Sequence, residues 1–449
     1  MTGSNETIFA RATGAGRAGV SVYRLSGERA FDIARSLVGD LPAPRQTKLV
    51  NLNCPDTEQL IDRGLVIPFQ GPASFTGEDI VEFHLHGALS VEAALYEALM
   101  GLGARPAEAG QFTKRALLAG KLDLAQVEAL ADLIDSETSV QRKQALGQLD
   151  GRLSALAEGW RRFLLGILAP LEADVDFPDE EGVPAAVAAR AGPEIEGLIK
   201  ELTDYKSQSS AARAIRDGVS VAILGRPNAG KSSLLNHLAG SDVAIVSATP
   251  GTTRDVIEVK LDLGGVPVRL ADTAGIRDTS TDDIEIQGIS RALDKVRDAN
   301  IRVLVIDPLT DDEPSGELLA MLGPDDLLVW SKSDLIGDQK KSNKINDIKE
   351  FSLSATTGEG MEAFLRALTA VVGRLAHQTG DAALTRARHV EAVGIALDCL
   401  GRAKARIETA PELAAEDARL AARALGSITG AVDVEDVLGE IFSSFCIGK

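Results

Sequence analysis

The stretch Gly225-Arg226-Pro227-Asn228-Ala229-Gly230-Lys231-Ser232 decides the fold of the chain that carries it. It follows Val219-Ser220-Val221-Ala222-Ile223-Leu224, a short apolar run that reads as a strand, and Ser233-Leu234-Leu235-Asn236-His237-Leu238 opens a helix behind it. Strand, glycine-bounded loop and helix, in that order, are the setting that a phosphate-binding Walker A pattern requires. The glycines let backbone N–H groups curl around a phosphate, and the helix N-terminus adds partial positive charge. Lys231 can reach the β- and γ-phosphates of a nucleotide, and Ser232 can hold Mg²⁺. A chance glycine-rich turn would lack this setting.

Outward from the loop, strands and helices alternate from Val219 to about Gly373 in the βα manner of a mostly parallel sheet. Val256 to Leu263 and Val266 to Ala271 read as a hairpin turned by Gly264-Gly265. The hairpin leads into Asp272-Thr273-Ala274-Gly275, where Asp272 can meet Mg²⁺ through water and the Gly275 N–H can sense a γ-phosphate. Between the P-loop and the hairpin lies Thr249-Pro250-Gly251-Thr252-Thr253-Arg254-Asp255. A Thr-Thr pair alone reads as a turn; in this order and spacing it reads as a switch loop, with Thr253 giving a second hydroxyl to Mg²⁺.

Base choice is expected at Ser331-Lys332-Ser333-Asp334, behind the strand Leu327 to Trp330. A carboxylate accepts from both N1–H and N2–H₂ of guanine, a pair that adenine does not offer, so GTP rather than ATP is the expected substrate. Ser331 stands where Asn is usual, and its shorter side chain is expected to lose a contact that braces base and P-loop. Ser354-Ala355-Thr356 matches a loop that closes over the base. Ras-type GTPases place a water-orienting Gln directly after Asp-x-x-Gly, but Ile276 occupies that position here. Another group must position the attacking water. Asp278, Asp282, Asp283 and Glu285 lie just downstream, where acids ordinarily form a solvated loop.

At 449 residues the chain exceeds one hydrophobic core and implies two to four domains. Its 45% hydrophobic and 25% charged residues are ordinary for globular protein, and no run approaches the ~18 apolar residues of a membrane span. The first residues carry no signal-peptide pattern. Cys54, Cys399 and Cys446 are scattered and odd in number, which argues against a disulfide framework or zinc site and for a reducing cytoplasm. The net charge of −19 should repel phosphate backbones on average. An RNA substrate would therefore call for a second protein to supply much of the attraction.

Short alternating strands at Thr7–Ala10, Val20–Leu25, Gly64–Ile67 and Ile80–Leu85, with helices at Ala30–Val38 and Val91–Leu102, predict an N-terminal α+β domain over 1–119. From Leu122 the apolar period becomes helical, with an acidic loop expected at Asp174 to Gly182. The simplest architecture is multidomain α/β plus α. A helical domain, split into 120–216 and 377–449, carries an inserted Ras-like P-loop GTPase domain over 217–376.

Further stretches now bear on the whole chain. They are Gly16 to Val20 leading to Arg24-Leu25-Ser26-Gly27, Ser74-Phe75-Thr76-Gly77-Glu78-Asp79 with Glu82 and His86-Gly87, Phe112 to Ala116, Gly120-Lys121-Leu122-Asp123-Leu124, Arg386 to His389, and the final Phe445-Cys446-Ile447-Gly448-Lys449. Together with the P-loop they resemble the MnmE (TrmE) family of tRNA-modification GTPases over essentially all residues. Departures are Ala88, Gln111, Ala119 and Ser331.

The resemblance implies an N-terminal domain that forms a homodimer and binds 5-formyl- or methylene-tetrahydrofolate, the one-carbon source. Arg24, Glu82, Lys121 and Lys449 match the folate-binding positions, each an ordinary surface charge if taken alone. It also implies that two GTPase domains meet across K⁺. Asn228 matches a K⁺ ligand, and Ser247, Thr249 and Thr252, around Ala248 in the switch loop, supply further oxygens. Glu285 matches a water-activating acid, with Asp283 its rival. The implied reaction adds a (carboxymethyl)aminomethyl group to C5 of the wobble uridine of certain tRNAs. It would run in a heterotetramer with an FAD-containing partner of the MnmG or GidA type, and tRNA would be held mainly through that partner. Cys446 is a possible folate-side thiol. The terminal Cys-Ile-Gly-Lys is no prenylation box, since Gly448 and Lys449 are atypical there and no polybasic run precedes it. The competing expectation is a regulatory switch acting on the ribosome or an effector, which would have no use for a folate site.

Overall fold

The computed structural model describes residues 6–176, 183–245, 258–272, 296–311, 313–314, 316–335, 348–376, 383–431, 439, 441–442, 445 and 448, with backbone alone for 169–176, 183–190, 258 and 272. The chain divides into two compact units, Met1–Ala131 with Ala157–Arg162 and Ala422–Lys449, and Asp132–Leu156 with Phe163–Ala421.

In the first unit the order is β1 (Ile8–Arg11), β2 (Ala18–Ser26), α1 (Ala30–Val38), β3 (Lys48–Asn53), β4 (Leu60–Phe69), β5 (Ile80–Gly87), α2 (Leu89–Gly101), β6 (Arg105–Pro106) and α3 (Gln111–Leu118). The strands form one sheet in the order β3-β4-β5-β2-β1-β6, antiparallel except where β6 joins β1. Ala30, Ile33, Ala34 and Leu37 repeat at three- and four-residue spacing, so α1 buries one stripe against Val50, Leu52 and Phe83 of the sheet. This is the expected α+β arrangement, with two additions. Strand β3 lies at the sheet edge, and only its Val50 and Leu52 are buried, with Leu49 exposed and Asn51 and Asn53 between and after them, so its pattern is weak. Strand β6 spans two residues, too few to carry a pattern.

A helical run follows: α4 (Leu124–Ile134), α5 (Ser139–Leu149), α6 (Arg152–Asp176), α7 (Val183–Ser207) and α8 (Ser209–Asp217). Thr138 and Gln141 close a capping box at the start of α5. Asp174 to Asp176 belong to α6 rather than to the expected acidic loop. The acids do not break the helix, which runs on through Asp176.

The second sheet is built from β7 (Val219–Leu224), α9 (Lys231–Ala239), β8 (Glu258–Leu263), β9 (Val266–Asp272), β10 (Ile301–Ile306), α10 (Gly316–Leu319), β11 (Leu327–Trp330), β12 (Lys349–Ser352) and α11 (Met361–Leu375). Its order is β12-β11-β10-β7-β9-β8, parallel except for the β8–β9 hairpin. Gly264 and Gly265 both have positive φ, 68° and 87°, as the predicted two-residue turn requires. Because β7 and β10 are central, both their faces are buried. Val219, Val221 and Ile223 pack with Leu234 and Leu238 of α9 and Phe364 and Leu368 of α11, while Ala222 and Leu224 face Leu304, Ile306 and Trp330. The chain then continues in α12 (Ala387–Arg406) and α13 (Pro411–Thr429), and α12 packs on α7.

One acid ties both ends of this α/β region to the helices. Asp132 of α4 accepts from Arg216 Nε at 3.0 Å, two residues after which the chain enters β7 by way of Gly218, and from Arg386 Nη2 at 2.7 Å on the returning segment. Gln141 Nε2 donates to the Arg216 carbonyl at 2.9 Å, and Gln148 Nε2 to the Ala383 carbonyl at 3.0 Å. Asp132, Arg216, Gln141 and Gln148 line a polar cavity of ≈ 150 Å³, with Arg386 bonded to Asp132. The three charged side chains are 16–25% exposed, so their hydrogen bonds lie largely out of water. Removing one partner of a buried pair costs about 3–5 kcal/mol, and partial exposure reduces that here to about 1–3 kcal/mol. Asp132→Ala should therefore lower the first thermal transition by several degrees and speed proteolysis near 377–386; an unchanged melt would contradict this role for Asp132.

Candidate nucleotide-binding site

Strand β7 delivers the chain to Gly225, whose φ is +145° and whose Cβ, if present, would lie 2.2 Å from the Val305 carbonyl oxygen of β10. Only glycine fits there. Asn228 and Gly230 follow in the left-handed region, at φ 62° and 95°, and Gly230 is the N-cap of α9. The loop thus wraps back on itself before the helix begins. Lys231, buried at 4% exposure, donates to the Gly225 carbonyl at 2.9 Å and the Arg226 carbonyl at 2.7 Å, which holds its ammonium over the loop. A loop wrapped over a helix N-terminus, with a fixed ammonium above it, can cradle polyphosphate. Arg226 pairs with Asp311 beyond β10.

Beside the loop a cavity of ≈ 230 Å³ is lined by Gly230, Ser233, Leu234, Val305, Val329, Ser331, Lys332, Asp334, Leu335, Leu353, Ala355 and Thr356. The expected base residues thus meet around one space. Lys332 has a left-handed backbone (φ 56°), and its Nζ reaches Asp307 Oδ2 at 2.6 Å, which lays its methylene stem along the cavity wall. Burial pushes the Asp307 carboxyl's pKa up, but the Lys332 hydrogen bond and charge and the Leu309 N–H outweigh it and hold the pKa below the usual carboxylate value. Asp334 is exposed in a short 3₁₀ turn and lines the same cavity.

Ser331 corrects an expectation. Its Oγ donates to the Ala229 carbonyl at 2.6 Å and lies 3.0 Å from the Ile306 carbonyl, so the brace to the P-loop is kept. Gly230, lacking a Cβ, allows the approach: a Cβ there would sit 3.2 Å from Ser331 Cβ. On the other wall, His237 of α9 donates from Nδ1 to the Ala355 carbonyl at 2.9 Å, with its ring against Gly358. Neither Asp307 nor His237 stood out in the sequence. Asp307 could have been suspected from its place at a strand end facing a lysine-bearing loop; His237 offers no such signal.

In the first unit, Arg24 on β2 and Glu82 on β5 are opposite one another in the register and form a pair, Arg24 Nη2 to Glu82 Oε1 at 2.9 Å and Nε at 3.1 Å. The guanidinium lies 5.5 Å and 5.8 Å from the ring centroids of Phe75 and Phe112. Lys121 passes over Gly77 in the Ser74–Asp79 turn. Three of the four expected folate positions are therefore described; Lys449 lies outside the described residues, as does Cys446. So do Ser247, Ala248, Thr249, Pro250, Gly251, Thr252, Thr253, Thr273, Ala274, Gly275, Asp283 and Glu285, while Asp272 is described by its backbone at the end of β9.

Residues 7–121 match the family described as "GTP-binding protein TrmE N-terminus", and residues 124–446 match "MnmE helical domain". The chain is 50% identical over 448 residues to the tRNA modification GTPase MnmE of Parvibaculum lavamentivorans, covering 99% of this chain and 100% of that protein. It is 47% identical to the MnmE of Paramagnetospirillum magneticum and 48% to that of Caulobacter vibrioides, each over 99% of this chain and 100% of the relative. A match of this depth, running from the N-terminal sheet through the P-loop to the final helices, places the chain in the MnmE (TrmE) family of tRNA modification GTPases.

Proposed function

We propose that the chain hydrolyses GTP in the modification of tRNA. The observation that carries this reading is the cavity joining the P-loop to Ser331, Lys332 and Asp334, in a chain matched end to end by relatives named for that activity. Backbone N–H groups of 228–233 and the Lys231 ammonium would bind the phosphates, and the Asp334 carboxylate would accept from N1–H and N2–H₂ of guanine. Ser333, Ser354, Ala355 and Thr356 would complete the base pocket, and Thr273, Ala274 and Gly275 the γ-phosphate side.

The donors assigned to Mg²⁺, Ser232 and Thr253 with Asp272 through water, are oxygens, as hard cations require. Those assigned to K⁺, Asn228, Ser247, Thr249 and Thr252, are likewise oxygen donors. Bound there, the cations would neutralise charge that develops on the phosphates. Asn228 fits this part: its left-handed backbone puts an exposed side chain at the crest of the P-loop, where a second copy could meet it. Glu285 would take the proton of the attacking water, in the role that Ile276 cannot fill. On this reading GTP turnover rises strongly in KCl over NaCl. Asn228→Ala should remove that response while retaining nucleotide, and Glu285→Ala should retain it yet slow turnover by about 10²–10⁴-fold. Equal rates in the two salts would contradict the K⁺ assignment.

In the N-terminal unit, Arg24, Glu82, Lys121 and Lys449 would hold 5-formyl- or methylene-tetrahydrofolate, which supplies a one-carbon unit when bound. The paired guanidinium and carboxylate beside the half-buried Phe75 suit a flat, polar-edged heterocycle: one ring to stack on, and an acid to accept from its amino edge. The chain would act as a homodimer, in a heterotetramer with an FAD protein of the MnmG or GidA type, adding a (carboxymethyl)aminomethyl group to C5 of the wobble uridine. A net charge of −19 suits a protein whose partner contributes most of the grip on tRNA. Arg24→Ala should weaken formyl-tetrahydrofolate binding by about tenfold or more, the loss of a charge-assisted hydrogen bond, and leave GTP binding intact. An unchanged folate titration would remove Arg24 from that site.

A further inference from the structure

The base cavity contains a side chain whose single proton is already committed. A hydroxyl has one hydrogen to donate, and both close contacts of Ser331 Oγ are carbonyl oxygens, Ala229 at 2.6 Å and Ile306 at 3.0 Å. Ser331 is 8% exposed, and its own N–H goes to the Ile306 carbonyl at 2.8 Å, so neither of its donors turns toward the cavity. The next donor along, Lys332 Nζ, is held 2.6 Å from Asp307 Oδ2. Asp334 offers only acceptors once ionised.

Ser331 also occupies a particular place. It is bonded to the P-loop through Ala229 and stands three residues before Asp334, so it lies between the phosphate cradle and the carboxylate. A guanine with its N1–H and N2–H₂ edge on Asp334 and its ribose toward the P-loop passes Ser331 along the imidazole side, where N7 is an acceptor that requires a donor. An amide at this position has two hydrogens, one for a carbonyl brace and one to spare; a hydroxyl has none to spare. The opposite wall is fixed too, because His237 holds the Ala355 carbonyl at 2.9 Å and so sets the orientation of that peptide.

We propose that Ser331 is a specificity-determining residue that spends its hydroxyl on bracing the P-loop, so that this site reads the Watson–Crick edge of guanine and does not read N7. The inference rests on the guanine reading of the cavity given above. A guanine nucleotide with carbon in place of N7 is then accepted as readily as the natural one.

The test uses the full chain and displacement of a fluorescent GDP by GDP, 7-deaza-GDP and ADP. GDP and 7-deaza-GDP should displace it with affinities within about threefold of each other, because no hydrogen bond is at stake. Ser331→Asn should gain a preference for GDP over 7-deaza-GDP of about 3- to 10-fold, the ordinary worth of one hydrogen bond. Ser331→Ala should weaken both nucleotides alike. A native chain that prefers GDP by more than about threefold overturns the proposal, as does a folded Ser331→Asn chain that treats the two nucleotides alike. Displacement by ADP as effective as by GDP would instead remove the guanine reading beneath it, so the two failures are told apart.

Discussion

The nucleotide site depends on one close approach, that of the P-loop backbone at Gly225 to the Val305 carbonyl of β10. No side chain can stand between them. That contact fixes where the loop leaves the central strand, and the left-handed residues Asn228 and Gly230 then turn it back so that α9 begins under Lys231. The strands that create the approach lie inside their sheet, with β7 between β9 and β10 and buried apolar side chains on both faces. The hydrophobic core is thus what holds a polar, glycine-rich loop in a single shape. Ser331 and His237 extend that rigidity by tying Ala229 and Ala355 to their neighbours across the cavity, so the base and phosphate ends are held to the same segment, Ala229 to His237.

A different constraint acts on the helices. The α/β region interrupts a helical run, and its two ends must return to the same place. Asp132, Gln141 and Gln148 achieve this by taking Arg216 on one side and Ala383, Thr385 and Arg386 on the other. The β8–β9 turn rests on the same helix: Gly265 lies against Val140, and Lys260 pairs with Glu137 at 2.6 Å. Strand β9, which ends at Asp272, is anchored by its turn to α5.

Much of this was legible in the sequence because glycine and alternation carry it. The P-loop setting, the Gly264-Gly265 turn and the strand before Ser331 follow from local pattern, and each appears where the pattern puts it. What was not legible depends on partners distant in sequence. Edge strand β3 has too few buried residues to announce itself, and the pairing of Arg24 with Glu82 becomes visible only when β2 and β5 lie in register. The Ser331 brace was misjudged because side-chain length suggested a lost contact, whereas Gly230 lets the backbone come close enough for a hydroxyl to reach. His237 and Asp307 took on a role only once α9, β10 and the base loops shared a cavity.

The central claim is that this GTPase acts in wobble-uridine modification rather than as a switch alone. It is tested most directly by mass analysis of wobble nucleosides in tRNA from cells with the chain deleted. The expected result is loss of the C5 (carboxymethyl)aminomethyl group, restored by the native chain and not by Lys231→Ala. An unchanged nucleoside profile in the deleted cells would contradict it.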